Sequence, residues 1–183
     1  MRLSLSSDRL IELKIANQRL KKEVENLENK ILNLVGMVEI ERSGGEGYEN
    51  YINQKLMELI MASSSYLNVA TPKIDNFYTN ELINIAKKGV SITIIMNERS
   101  GFPPNYQQNY DKLKNTKNIS IITNPNVRFL LVFNEKEALY AGGSLDRDEL
   151  ERSVLIVTKV KVQDKLKKIA DIFNLMLPSF MRK

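Results

Sequence analysis

The residues most capable of chemistry lie in and beside the stretch "FLLVFNEKEALYAGGSLD", residues 129–146. Arg128 precedes this stretch, Glu135 lies within it, and Gly142-Gly143-Ser144 stands near its end. An arginine can hold a phosphate or carboxylate through two parallel hydrogen bonds, and a serine hydroxyl can act as a nucleophile when a base lies beside it. These residue types indicate either the binding of an anion or nucleophilic chemistry at a serine.

The chain contains neither histidine nor cysteine. The absence of histidine removes the commonest general base, the commonest ligand of transition metals and the usual partner of a serine nucleophile. The absence of cysteine excludes disulfides, thiolate zinc sites and cysteine nucleophiles. Acidic clusters could still hold magnesium, but no spacing in the sequence demands it. We predict no catalytic residue, no metal and no cofactor, and an enzyme built on Ser144 is the least favoured alternative.

Further cationic side chains are expected near this stretch. Lys73 and Arg99 follow the first two predicted strands of the domain, where open α/β sheets usually bind ligands. A purely structural alternative is that Arg128 pairs with Glu135 across a hairpin, while the glycines only permit a tight strand end. The predicted ligand-binding residues are Lys73, Arg99, Arg128, Glu135, Gly142, Gly143, Ser144, Arg147 and Arg152.

Apolar patterning predicts the elements that must position these side chains. A helix in "YENYINQKLMELIMASSS" precedes buried strands at "YLNVA", "VSITIIM" and "ISIIT", which alternate with helices at "FYTNELINIAKKG" and 106–114. A hairpin over "VRFLLVF" and "KEALYAGG", a last strand "SVLIVT" and the amphipathic helix "VQDKLKKIADIFNLML" follow. The predicted fold class is α/β, a mixed β-sheet with helices on both faces.

A heptad pattern precedes this domain and predicts an N-terminal coiled-coil helix. Asn17 occupies an a position, and paired asparagines at a fix the register of parallel two-stranded coiled coils. Glu23 would face Glu28 of a parallel partner, so antiparallel pairing and packing against the chain's own domain remain alternatives. The residues predicted to form the dimer contact are Leu13, Asn17, Leu20, Val24, Leu27, Ile31 and Leu34.

The predicted organisation has three parts: a coiled-coil dimerisation helix over 1–42, a linker over 43–47 and the α/β domain over 48–183. The stretch Ser43-Gly44-Gly45-Glu46-Gly47 has the composition of a linker, and it lacks the Lys-Ser/Thr pair that follows the glycines of a P-loop.

Composition and charge limit the class of partner. Hydrophobic residues make up 43% of the 183 residues, and the net charge of +5 permits contact with nucleic acid or another anion. The longest apolar runs are too short to cross a bilayer, and the first ten residues lack the apolar core of a signal peptide. We expect a cytoplasmic protein with no membrane contact.

The order of elements over about residues 46–180 resembles a single phospholipase D-like domain, from the superfamily of nucleases and phosphodiesterases with the signature H-x-K-x-x-x-x-D. "AKKGVSITII" is similar to the family's A-x-x-R-G-V-x-V stretch, and "ALYAGGSLD" to its Gly-Gly/Ser-Asn segment. "LERSVLIVTKVKVQDKLKKIADIFNLML" is similar to the family's acidic residue, strand and closing helix.

The resemblance also implies where the signature falls. Its histidine position corresponds to Arg128, its lysine position to Leu130 and its aspartate position to Glu135. In the family, the histidine attacks phosphorus, and a second copy, often from the other subunit, protonates the leaving group. Arginine stays protonated near neutral pH and offers no lone pair, and leucine brings no charge to the phosphoryl oxygens. The resemblance therefore implies a phospholipase D-like domain that has lost its catalytic activity.

From these features we predict a non-catalytic phospholipase D-like homodimer that acts as a regulatory binding module for an anionic ligand or nucleic acid. A coiled coil leading into such a domain is similar in plan to the effector part of TrmB-type archaeal transcription regulators, which sense sugars. One alternative is an adaptor or scaffold with a vestigial cleft, which binds a protein partner through the coiled coil. A divergent phosphodiesterase or nuclease is less favoured.

Overall fold

The computed structural model describes residues 13–27 and 38–181. Its contacts divide the chain into two units, residues 1–37 and 38–183. In the first unit, residues 13–27 form one helix, α1. The predicted dimer residues Ile31 and Leu34 lie outside the described residues. The apolar side chains of the heptad pattern within α1 are each more than half exposed: Leu13, Leu20, Val24 and Leu27.

The second unit contains all the strands that the structure describes and the helices that follow α1. The strands are β1 (Val38–Ser43), β2 (Tyr66–Ala70), β3 (Ser91–Met96), β4 (Ile119–Thr123), β5 (Phe129–Asn134), β6 (Ala138–Gly142) and β7 (Leu155–Val160). The helices are α2 (Tyr51–Met61), α3 (Asn76–Lys87), α4 (Pro104–Lys114), α5 (Arg147–Arg152) and α6 (Gln163–Leu175). Short 3₁₀ turns cover Arg99–Gly101 and Ser179–Met181.

The strands form one mixed seven-stranded sheet in the order β1-β7-β6-β5-β2-β3-β4. Strands β2, β3 and β4 are parallel, whereas β5, β6, β7 and β1 join through antiparallel pairs. Strands β2, β3, β4 and β6 consequently end at the same side of the sheet, at which β5 and β7 begin. We call this side the carboxyl end of the sheet.

Helices cover both faces of the sheet, which confirms the predicted fold class. One apolar core lies between the sheet and α2, α3, α4 and α5, where buried residues such as Leu56, Leu82 and Leu150 meet Val69 and Val132. The second core lies beneath α6. Alternation along β5 separates the two cores, because Leu130 and Val132 point into the first and Leu131 and Phe133 into the second.

Residues 38–43 differ from the prediction, which assigned most of them to the N-terminal helix. They form β1, which pairs antiparallel with β7 in the register Val38–Val160. The sequence "VEIERS" alternates apolar and polar residues, the period of a strand, and Val38 happens also to complete the heptad spacing. The predicted linker that follows is a packed turn at its first glycine: Gly44 has φ +87°, and a Cβ there would lie 2.2 Å from the Ser153 carbonyl oxygen.

Within the described ranges, no helix has both the length and the apolar content that crossing a bilayer requires.

Candidate functional site

The loop after β2 and the loop after β6 are joined at the carboxyl end of the sheet. Ile74 and Leu145 form an isolated parallel bridge. The Leu145 backbone N–H donates to the Lys73 carbonyl at 3.2 Å, and the Asp75 N–H donates to the Leu145 carbonyl at 3.0 Å. This bridge brings the Lys73 segment against the Gly-Gly-Ser segment, although the two are far apart in the sequence.

Thr71, the residue directly after β2, fixes this junction from inside. Its side chain is fully buried. The Thr71 hydroxyl donates to the Lys73 carbonyl at 2.9 Å and accepts from the Leu145 N–H at 2.8 Å. The buried hydroxyl uses both its donor and its acceptor capacity, so one side chain joins the two loops.

Gly142-Gly143-Ser144 forms a shelf that holds the carboxylate of Glu149. The Ser144 N–H donates to Glu149 Oε1 at 3.0 Å, and Lys73 Nζ lies 3.0 Å from Glu149 Oε2. Gly143 adopts φ +83°, a left-handed conformation that favours glycine, and a Cβ there would lie 3.1 Å from Glu149 Oε1. Glycine at 143 therefore serves both the turn and the close approach of the carboxylate.

Asp146 is the buried centre of the charged cluster. One carboxylate oxygen accepts the Tyr106 hydroxyl and lies 3.3 Å from Lys73 Nζ. The other accepts the Glu149 N–H at 3.1 Å and so caps α5. Burial alone would raise the pKa of Asp146, but the Tyr106 hydrogen bond, the Glu149 N–H and the charge of Lys73 together hold it below its ordinary value.

Lys73 is held as a cation by the same cluster. Its ammonium also lies 4.8 Å from the centre of the Tyr106 ring. Burial alone would lower the pKa of Lys73, but the hydrogen bond to Glu149 and the charges of Glu149 and Asp146 raise it above its usual value. Lys73 can therefore bind an anion and cannot act as a general base near neutral pH.

A cavity of about 470 Å³ opens beside this cluster. Asp75 lies at its wall, accepting the Tyr78 N–H at 2.8 Å to cap α3 and the Arg147 N–H at 2.8 Å. Burial raises the pKa of Asp75, and these two N–H donors oppose that shift. The Arg147 guanidinium stacks 4.8 Å above the Phe77 ring. The lining residues are Asp75, Asn76, Phe77, Asn105, Tyr106, Gln108, Asn109, Lys112, Asp146, Arg147 and Asp148.

The acidic residues here do not make a metal centre. Among residues 13–27 and 38–181, no three side chains of the types that bind metals are close enough to share an ion. The two carboxylates nearest the shelf, Asp146 and Glu149, already accept hydrogen bonds from backbone N–H groups and form ion pairs with Lys73. Each of these carboxylates is thus already engaged within the cluster.

Arg128 and Glu135 flank β5 at opposite ends and do not meet. Arg128 is exposed beside the shelf, since the next residue, Phe129, pairs with Gly142, and its guanidinium donates to the Pro125 carbonyl at 2.8 Å. Glu135 accepts the Ser64 N–H at 3.0 Å at the far end of the sheet. At ~3.3 Å per residue, β5 separates the two by roughly 20 Å. The alternative of an Arg128–Glu135 ion pair is not what the structure shows.

The other predicted residues lie at the carboxyl end in different environments. Arg99 is exposed and makes a two-pronged ion pair with Asp111, with both N–O distances 2.7 Å. Arg152 is exposed at the end of α5. Ser144 is only 4% exposed, and the contact it makes with Glu149 uses its backbone N–H. The cluster thus unites Lys73, Gly143 and Ser144 of the predicted set.

Sequence reasoning missed Thr71, Tyr106, Asp146 and Glu149. One signal for the last two was present: Asp146 stands three residues before Glu149, the spacing of a capping box at a helix start. That pattern would have predicted α5. It would not have predicted that the Glu149 carboxylate turns to the Ser144 N–H and to Lys73, because those contacts depend on the tertiary fold.

No protein-family model and no curated sequence matches the chain. Among solved structures, NucT from Helicobacter pylori matches 76% of this chain and 95% of its own at 11% identity and a TM-score of 0.64. Nuc from Salmonella typhimurium, a phospholipase D family member, matches 76% and 92% at 10% identity and a TM-score of 0.64. TrmBL2, an archaeal chromatin protein whose structure shows a novel mode of DNA binding, matches 92% and 63% at 15% identity and 0.56.

These similarities define the class of the fold. The sequence identities are too low to transfer a function, but the mixed sheet, the helices on both faces and the order of elements agree with those structures. The chain has the phospholipase D-like fold.

Proposed function

We propose that this protein is a non-catalytic phospholipase D-like homodimer that binds a phosphate-bearing ligand, nucleic acid in particular, at the carboxyl end of its sheet and has a regulatory role. The observation that carries the proposal is the shelf itself, where the Ser144 N–H and the Lys73 ammonium hold a carboxylate. Backbone N–H groups and lysines are common partners of phosphate oxygens in proteins.

The proposed lack of catalytic activity is argued from the residues at the signature positions. Arg128 stands where the family has its attacking histidine, and Leu130 at the lysine position is fully buried in the apolar core. A guanidinium near neutral pH has no lone pair with which to attack phosphorus or accept a proton. Ser144 has no histidine to activate it anywhere in the chain.

The choice of nucleic acid is supported by charge and by one similar structure. TrmBL2, an archaeal chromatin protein that shows a novel mode of DNA binding, matches 92% of this chain. Arg128 is exposed at the carboxyl end, and no carboxylate pairs with it within the described part of the chain. The exposed lysines of α6, which are Lys165, Lys167 and Lys168, offer a second cationic surface. We retain the cytoplasm as the proposed location.

The dimer is supported by α1. Its four apolar heptad residues are more than half exposed, and an apolar stripe of this kind is stable in water when a second helix covers it. A second copy of the chain is the proposed partner, because Asn17 at an a position suits pairing with an identical asparagine.

The binding test uses fluorescence anisotropy with a labelled DNA duplex over a range of salt concentrations. We expect binding that weakens as salt rises and an affinity about fivefold lower in Arg128→Gln, a loss of ~1 kcal/mol. Arg99→Gln is the matched control, because Asp111 already neutralises that guanidinium. Absence of binding at about 50 mM salt would contradict the nucleic-acid proposal.

The catalytic test measures hydrolysis of bis(p-nitrophenyl) phosphate and of single-stranded DNA. We expect none above the buffer rate. Hydrolysis that disappears in Ser144→Ala would show a divergent phosphodiesterase and overturn the non-catalytic assignment.

A scaffold role is the second candidate, and one observation favours it. Glu149 fills the shelf, and a scaffold needs no external ligand there. If neither DNA nor phosphate binds to any variant, while Leu20→Asp abolishes capture of a protein partner, the scaffold is the better description.

A further inference from the structure

The carboxylate of Glu149 occupies a cradle of donors that two other segments build. Its Oε1 accepts the Ser144 N–H at 3.0 Å, and its Oε2 lies 3.0 Å from the Lys73 ammonium. One backbone N–H and one ammonium, both directed at oxygens of a single anionic group, would serve a phosphate equally well. Glu149 therefore stands where an external oxyanion would bind.

The cradle keeps its shape without Glu149. Asp146 holds the Lys73 ammonium at 3.3 Å, and the Tyr106 ring lies 4.8 Å from it. The Ser144 peptide is fixed through its neighbour Leu145, whose N–H donates to the Thr71 hydroxyl. Withdrawal of the carboxylate would leave the Ser144 N–H without a partner and the Lys73 ammonium paired with Asp146 alone.

Glu149 is also free to withdraw. About a third of its side chain is exposed to solvent, at 33%. The cap of α5 is the Asp146 carboxylate, so the helix does not depend on where the Glu149 side chain points. A change of rotamer, with no movement of the backbone, is enough to vacate the cradle.

We propose that the Ser144–Lys73 cradle is a binding site for phosphate-type oxyanions and that Glu149 is its built-in competitor, which an incoming phosphate group displaces. The inference rests on the proposed binding of anions at this end of the sheet and adds what sets their affinity. With Glu149 in place, one ammonium faces two carboxylates, and this negative balance repels a further anion. Without it, one ammonium faces Asp146 alone.

The test is isothermal titration of the full-length chain with inorganic phosphate at constant ionic strength. We expect Glu149→Ala to bind phosphate about tenfold more tightly than Glu151→Ala. Glu151 is an exposed residue of the same helix, so its removal changes the net charge equally without touching the cradle. Adding Lys73→Met to Glu149→Ala should abolish the gain.

Circular dichroism establishes whether each variant is folded. If Glu149→Ala does not fold, Glu149→Gln replaces it, because glutamine keeps the size and removes the charge. A smaller gain in the same direction is then expected. Equal phosphate affinities in a folded Glu149 variant and Glu151→Ala would overturn the inference.

A second probe separates this inference from the proposed function. The same variants are titrated against a labelled single-stranded oligonucleotide with a 5′ phosphate. If Glu149→Ala binds phosphate more tightly but no variant binds the oligonucleotide, the role of Glu149 as a competitor is supported and the nucleic-acid proposal fails. If the wild type binds the oligonucleotide while Glu149→Ala and Glu151→Ala bind phosphate with equal affinity, the inference about Glu149 fails and the nucleic-acid proposal is supported.

Discussion

The Tyr78 hydroxyl donates a hydrogen bond to Asn53 Oδ1 at 2.7 Å inside the apolar core. Tyr78 belongs to α3 and is fully buried, and Asn53 belongs to α2 and is 4% exposed. The Asn53 amide in turn donates to the Arg147 carbonyl at 3.1 Å. This short chain of bonds connects α2, α3 and α5 beneath the site, and it explains how a polar asparagine is tolerated in the core.

Replacing Tyr78 with phenylalanine should lower the free energy of unfolding by about 1–3 kcal/mol, because it leaves the buried Asn53 oxygen without a donor. Denaturation by urea, followed by circular dichroism, measures the loss. The control is Tyr140→Phe, whose side chain is 49% exposed, and its effect should stay within about 0.5 kcal/mol. Equal effects of the two changes would show that the buried bond contributes nothing.

Gly143→Ala should destabilise the protein by ~1–2 kcal/mol, since φ +83° is strained for alanine and the new Cβ would crowd Glu149 Oε1 at 3.1 Å. Gly142→Ala is the neighbouring control. Its Cβ would meet only Leu155 Cδ2 at 3.5 Å, an ordinary contact, and its backbone lies outside the left-handed region. Thermal unfolding of both variants measures the difference, and a Gly142 variant that is the less stable of the two would contradict this account of the shelf.

Asp146 should make part of the stability depend on pH. The folded protein lowers the pKa of Asp146, so its contribution is fully present above the unfolded value of about 3.9 and is lost as pH falls through the folded value. The difference in unfolding free energy between the wild type and Asp146→Asn should therefore be constant from about pH 7 to pH 5 and shrink below about pH 4. Urea denaturation across this range measures it, and a difference that grows in acid would refute the assignment.

The absence of cysteine makes the proposed dimer testable with single substitutions. In a parallel coiled coil, two Leu20 residues at d face each other, so Leu20→Cys should form an intermolecular disulfide under mild oxidation. Lys22→Cys, on the outer face of the same helix, should not. Gel electrophoresis without reductant reads the result. Cross-linking of neither variant, with a dimer still present in sedimentation, would indicate antiparallel pairing.

Much of the fold could be predicted because local pattern and tertiary environment agree. Strand β3, "SITIIM", is rich in β-branched residues and buried on both faces, and α6 carries Leu166 and Phe173 on one side. Strand β1 escaped prediction because Val38 satisfies a period of 3.5 as well as a period of two. Because the helical and the strand patterns share Val38, only the pairing with β7 shows which of them the chain adopts.

The candidate site was predicted only in part, for a geometric reason. Lys73 and Ser144 lie at one end of the sheet, because each follows a strand that ends there. Glu135 was grouped with them through its spacing in the family signature, but β5 carries the chain away from the shelf before that residue is reached. The contacts of Glu149 depend on two loops that meet only in the folded chain.

The raised pKa of Lys73 has a practical consequence for chemical labelling of its amine. Acylating and alkylating reagents attack the neutral amine, and Lys73 spends less time in that form than a lysine in water because its pKa is raised. In a map of surface amines obtained by mass spectrometry, we expect Lys73 to react more slowly than a lysine of ordinary pKa, although about a third of its side chain is exposed, at 32%. Its reaction rate would then report, in one number, whether the cluster around it is intact.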